Sequence, residues 1–77
     1  MTKGGGKMSS INKVKGYRNM LGLSQKDMAD KLSISINAYR NKENGKVEFR
    51  DNEKIIIKEM ILPLFPQVTL EEIFFYK

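Results

Sequence analysis

The chain has 77 residues, no cysteine or histidine, and 14 Lys or Arg against 9 Asp or Glu, for a net charge of +5. A chain this short buries about 60% of its unfolded surface, which implies one domain with a thin core and little room for an enzymatic cleft. The missing cysteine and histidine remove disulfides, thiolate or imidazole metal ligands and the commonest general base.

No apolar run approaches the ~20 residues that span a bilayer. The leader "MTKGGGK" lacks the apolar core of a signal peptide, so the default compartment is the cytoplasm. The charge is unevenly spread. Residues 1 to 23 carry +5 with no acid, residues 24 to 50 carry +2, and residues 51 to 77 carry −2. A basic front and a mildly acidic tail suggest that one side of the surface attracts a polyanion. The plainer reading is that the charge keeps a small protein soluble.

Residues 1–9 are Gly-rich and polar, the composition of a flexible basic leader, and residues 10–77 read as the folded domain. From Ser10 the pattern is helical. Ile11, Val14, Arg18 and Leu21 recur on one line, and Gly22 ends the run. Arg18 on that apolar line needs a partner, because a charge facing a core is costly unless paired.

Ser24 opens a second short helix, "SQKDMADKL", with Asp27 placed to help the first turn and Met28, Ala29 and Leu32 as its buried stripe. About two turns cannot persist without packing on neighbours. After a tight connection Ser35 caps a third helix, "SINAYRNKENGK", which Gly45 stops. Wound at ~100° per residue, it places Ile36, Asn37, Arg40, Asn41 and Asn44 on one arc of roughly 140°. Ala38, Tyr39, Lys42 and Glu43 fall on the opposite arc. Two short helices joined by a tight turn, the second with a polar face, form the local pattern of a helix-turn-helix.

A longer helix starts near Asp51 and carries Ile55, Ile56, Ile57, Met60, Ile61 and Leu62, more apolar surface than one face needs; Pro63 and Pro66 end it. Thr69 with Glu72 three residues on is a capping box that starts a last short helix. Five helices and no strand follow, an all-α fold.

The combination "LGLSQKDMADKL...S...AYRNKENGK" resembles the XRE-type helix-turn-helix family, the lambdoid Cro proteins and repressors and their relatives in Gram-positive phages. The likeness rests on "LSQ" at the start of helix two, Ala29 at the small position, Tyr39 on the inner side of helix three and "ENGK" at its end. It covers residues 11 to 49, and "TLEEIFF" looks like the family's last helix.

The resemblance implies a compact five-helix, lambda-repressor-like domain that binds double-stranded operator DNA as a homodimer. It implies that Ser35, Ile36, Asn37, Arg40 and Asn41 face the bases in the major groove. Gln25 and Lys26, at the start of helix two, and Asn44 and Lys46, beyond helix three, would hold phosphates. Arg18 and Glu43 match positions that form a buried ion pair in several relatives.

Three positions depart from the family. Ser33 stands where Gly is commonest because φ is often positive there. Lys42 takes a slot that is usually apolar, with its stem expected on the core and its ammonium in water or at a phosphate. Arg50 replaces the usual Ser or Thr cap of helix four, which also reads about one turn longer than in close relatives.

The chemistry of the polar face agrees with the resemblance independently. Asn pairs with adenine N6 and N7, Arg with guanine O6 and N7, and Ile36 suits a thymine methyl. Asn is also a poor helix former, so three of them in eight positions are unexpected if the helix only has to stay folded.

Ile57, Ile61, Leu64, Phe65, Phe74, Phe75 and Tyr76 exceed what a small core needs; about half read as core and the rest as an association surface. That surface keeps a rival reading alive, in which the protein is an antirepressor, modulator or antitoxin acting on a repressor or other partner protein. No cofactor or metal site is legible. An enzyme is not indicated, since Glu71 and Glu72 face two sides of a helix with no cleft.

Overall fold

Side chains mark where the helices begin. The computed structural model describes residues 12–74, which form Val14–Leu21 (α1), Gln25–Leu32 (α2), Ile36–Glu43 (α3), Asp51–Ile61 (α4) and Leu70–Phe74 (α5), with no strand among them. Ser24 and Asp27 make a full capping box on α2: Asp27 N–H donates to Ser24 Oγ and Ser24 N–H donates to Asp27 Oδ2. Ser35 Oγ accepts from Ala38 N–H at the start of α3. Thr69 and Glu72 repeat the reciprocal box on α5. At α4 the arginine side chain offers no acceptor, and Glu53 compensates by accepting from the Arg50 amide at 2.8 Å.

The first helix starts later than its pattern suggests. The periodic run from Ser10 predicts a helix from there, yet Asn12 and Lys13 are not helical and α1 begins at Val14. Asn12 explains the delay. Its Oδ1 accepts from Val14 N–H, while its Nδ2 donates to the Lys42 carbonyl at the end of α3. Lys13 N–H meanwhile donates to the Ile73 carbonyl in α5. Asn12 thus takes the Val14 amide that a longer helix would have bonded one turn back, and the bonds from Asn12 and Lys13 tie this stretch to α3 and α5 instead. Ser10, Ile11, the leader at 1–9, Phe75 and Tyr76 lie outside the described residues.

Three successive helices end in the same way, with a left-handed residue that returns two amides to the last turn. Gly22 does so at φ 76°, Ser33 at φ 60° and Gly45 at φ 87°. At the third, Gly45 N–H donates to the Lys42 carbonyl and Lys46 N–H to that of Asn41. Ser33 therefore takes the strained conformation that its position predicted.

The core gathers Val14 from α1, Met28, Ala29 and Leu32 from α2, Tyr39 from α3, Ile57 and Ile61 from α4, and Ile73 and Phe74 from α5. Phe49, in the non-helical link before α4, sits between the rings of Tyr39 and Phe74, 6.1 and 5.5 Å from their centroids. It joins the two halves of the molecule. α2 packs on α3, and α4 packs on both α1 and α5. Of the C-terminal apolar residues, Ile57, Ile61 and Phe74 are core, whereas Leu64 and Phe65 are exposed at 49% and 39%. No helix among the described residues is long and apolar enough to cross a membrane.

Candidate nucleic-acid interface

The arrangement is built from α3, whose two sides have different jobs. Tyr39, Lys42 and Glu43 are buried on the inner side, and Asn37, Arg40, Asn41 and Asn44 are exposed on the outer. Ile36 is half-buried and packs against the core, so it stands at the border between the sides. Ser35, also exposed, lies at the helix start with its hydroxyl accepting from Ala38.

Glu43 is the centre of the inner side. Its carboxylate accepts from Arg18 Nε at 2.7 Å, from the Tyr39 hydroxyl at 2.6 Å and from Gln25 Nε2 at 2.9 Å. Arg18 Nη1 also donates to the Leu23 carbonyl in the α1–α2 turn, so one guanidinium ties α1, that turn and α3 together. Burial alone raises the Glu43 carboxyl, but the hydrogen bonds from Arg18, Tyr39 and Gln25 outweigh it and hold the group below its ordinary value. The Arg18 guanidinium is raised chiefly by its bond to Glu43. The Tyr39 phenol is pushed up, first by burial and then by the same carboxylate.

Lys42 behaves differently from its expectation. Its ammonium reaches neither water nor an open phosphate site. It turns inward and donates to both carboxylate oxygens of Glu53, at 2.7 and 2.9 Å, with both side chains almost wholly buried. Glu53 is already held by the Arg50 amide, so the lysine finds a fixed, desolvated acceptor next to its stem. This second ion pair joins α3 to α4. The only sequence signal for it was a lysine in an apolar slot with a carboxylate in the first turn of the following helix.

The outer side and its surroundings are polar and basic. Arg40 Nε donates to Gln25 Oε1 at 3.0 Å, which places the first residue of α2 beside the middle of α3. Lys26 is exposed and pairs with Asp30 one turn on, a contact that raises its ammonium; exposed pairs of this kind contribute little to stability and open readily to another anion. Asn44 and Lys46 are exposed on either side of Gly45. Together Gln25, Lys26, Ser35, Asn37, Arg40, Asn41, Asn44 and Lys46 lie at the start of α2 or along α3 and its end. Among the described residues no group of His, Cys, Asp or Glu has the arrangement of a metal site.

Residues 14–51, covering α1 to the start of α4, match the helix-turn-helix family model. The protein is an XRE-type helix-turn-helix protein over that span. No curated protein and no solved structure shows significant similarity to the chain. An XRE-type helix-turn-helix is a DNA-binding regulator module. In this domain α2 and α3, joined by the tight turn at Ser33, are the two helices of the motif.

Proposed function

We propose that the protein binds a double-stranded operator sequence as a dimer through the outer side of α3, and regulates transcription there as a Cro-like protein or small phage or prophage repressor. One observation carries the reading: α3 buries two charged residues and a tyrosine to fix its inner side, and leaves Asn37, Arg40, Asn41 and Asn44 outward. Asn37 and Asn41 suit adenine N6 and N7, and Arg40 suits guanine O6 and N7. Ser35 and Ile36 flank them at the helix start. Lys26, Asn44 and Lys46 neutralise or hold phosphates around the groove.

Exposed apolar side chains support the dimer. Met20, Leu64 and Phe65 are 61%, 49% and 39% exposed, and Tyr17 packs edge-on against Phe65 at 5.6 Å between centroids. The same surface favours the second reading, a modulator or antitoxin that acts on a partner protein.

Selection from a random duplex pool across a salt series separates the two. The wild-type protein is expected to enrich a palindromic site with half-sites about one helical turn apart. Asn37→Ala/Asn41→Ala is expected to lose that preference, at ~1–3 kcal/mol for each bidentate contact, while keeping weak, salt-sensitive backbone binding. If no sequence is enriched even at low salt, the operator reading fails and the partner-protein reading takes its place.

A further inference from the structure

Gln25 lies between a carboxylate and a guanidinium, and that placement fixes its amide. Its Nε2 donates to Glu43 Oε1 at 2.9 Å, and its Oε1 accepts from Arg40 Nε at 3.0 Å. A carboxylate only accepts and a guanidinium only donates, so the reverse orientation of the amide would lose both bonds. Glu43 is itself held by Arg18 and Tyr39. A continuous chain of directional bonds thus runs from the buried ion pair, through Gln25, to an exposed arginine on the outer side of α3.

We propose that Gln25 is a positioning residue for Arg40, holding its guanidinium ready for a guanine in the major groove. The proposal rests on the DNA-reading assignment of α3, and it departs from the phosphate contact that family resemblance implies for Gln25. Of the Gln25 amide, Oε1 is taken by Arg40 and one Nε2 hydrogen by Glu43, which leaves a single Nε2 hydrogen for any phosphate. The bond to Arg40 goes through Nε, which leaves both Nη nitrogens without a hydrogen bond among the described residues. Two Nη donors side by side match the O6 and N7 acceptor pair that guanine presents. Arginine has many rotamers, and holding its inner nitrogen restricts the outer fork before DNA arrives. Specificity at one base pair of each half-site then depends on a residue that touches no base.

The test is a double-mutant cycle on sequence preference in the full chain. Wild type, Gln25→Met, Arg40→Ala and the double variant are each profiled on the same random duplex pool, with thermal unfolding as a check on folding. Gln25→Met keeps the side-chain length, and Glu43 retains Arg18 and Tyr39 as partners. Gln25→Met is expected to lower guanine preference about 3- to 10-fold at the single position that Arg40→Ala also flattens, leaving the other positions unchanged. In the Arg40→Ala background Gln25→Met is expected to have no further effect. A uniform loss of affinity across sequences, persisting when Arg40 is absent, overturns the proposal and restores the phosphate role while DNA reading stands. If wild type enriches no sequence, the proposal and the reading beneath it both fall.

Discussion

The helix-turn-helix half and the α4–α5 half of the molecule are held by different forces. α3 is fixed by directional bonds: Glu43 to Arg18, Tyr39 and Gln25, and Lys42 to Glu53. α4 and α5 are fixed mainly by apolar packing of Ile57, Ile61, Ile73 and Phe74. Apolar contacts depend on volume and tolerate small rotations and repacking. Hydrogen-bonded ion pairs fail within a fraction of an ångström or a few tens of degrees. On the proposed reading α3 presents particular amides to base edges and needs its rotation defined, and the directional constraints fall on that helix. The α4–α5 half only has to cover them.

The comparison breaks most sharply at Glu43. Glu43→Ala leaves Arg18, Tyr39 and Gln25 without their shared acceptor and is expected to cost about 3–5 kcal/mol in urea unfolding. The same carboxylate makes stability depend on pH. Its folded value lies below the ordinary 4.5, so its contribution is fully present above that value and is lost as pH falls through the folded value. Wild type is expected to weaken in that acid range, and Glu43→Gln to show a flatter acid limb.

Lys42 offers a finer test. Lys42→Met alone strands a buried carboxylate and is expected to cost about 2–3 kcal/mol. Lys42→Met/Glu53→Gln removes both charges and keeps an acceptor for the Arg50 amide, so stability is expected to return to within about 1 kcal/mol of wild type. If the double variant stays as weak as the single, the pair contributes more than mutual neutralisation. The smallest effect concerns the turns. Ser33→Gly is expected to stabilise by about 1 kcal/mol and Gly22→Ser to destabilise by a similar amount, because a Cβ at Gly22 meets nothing and only φ is at issue.

Much of this was legible because it is local. The caps at Ser24, Ser35 and Thr69, the stripe of Met28, Ala29 and Leu32, and the stop at Gly45 each lie within one helix and its flanks. The division of α3 into Tyr39, Lys42 and Glu43 against the asparagines follows from helical period alone. Nothing local could show that Lys42 would find Glu53, because the pair joins side chains from separate helices across the core. The late start of α1 has the same origin, since Asn12 and Lys13 are claimed by α3 and α5. Phe49 stands in a stretch with no periodicity and is recognised as core only once Tyr39 and Phe74 close around it. Gln25 was placed at the interface by resemblance, but its bond to Arg40 depends on how α2 crosses α3.

The central claim is that the inner side of α3 holds the fold and the outer side reads DNA. Its most direct test measures unfolding stability and sequence preference together on Asn37→Ala/Asn41→Ala. Stability is predicted to be unchanged or slightly raised, since alanine is the better helix former, while the preference for the selected site is lost. A variant that keeps the wild-type preference, or loses binding only in step with its stability, contradicts the account.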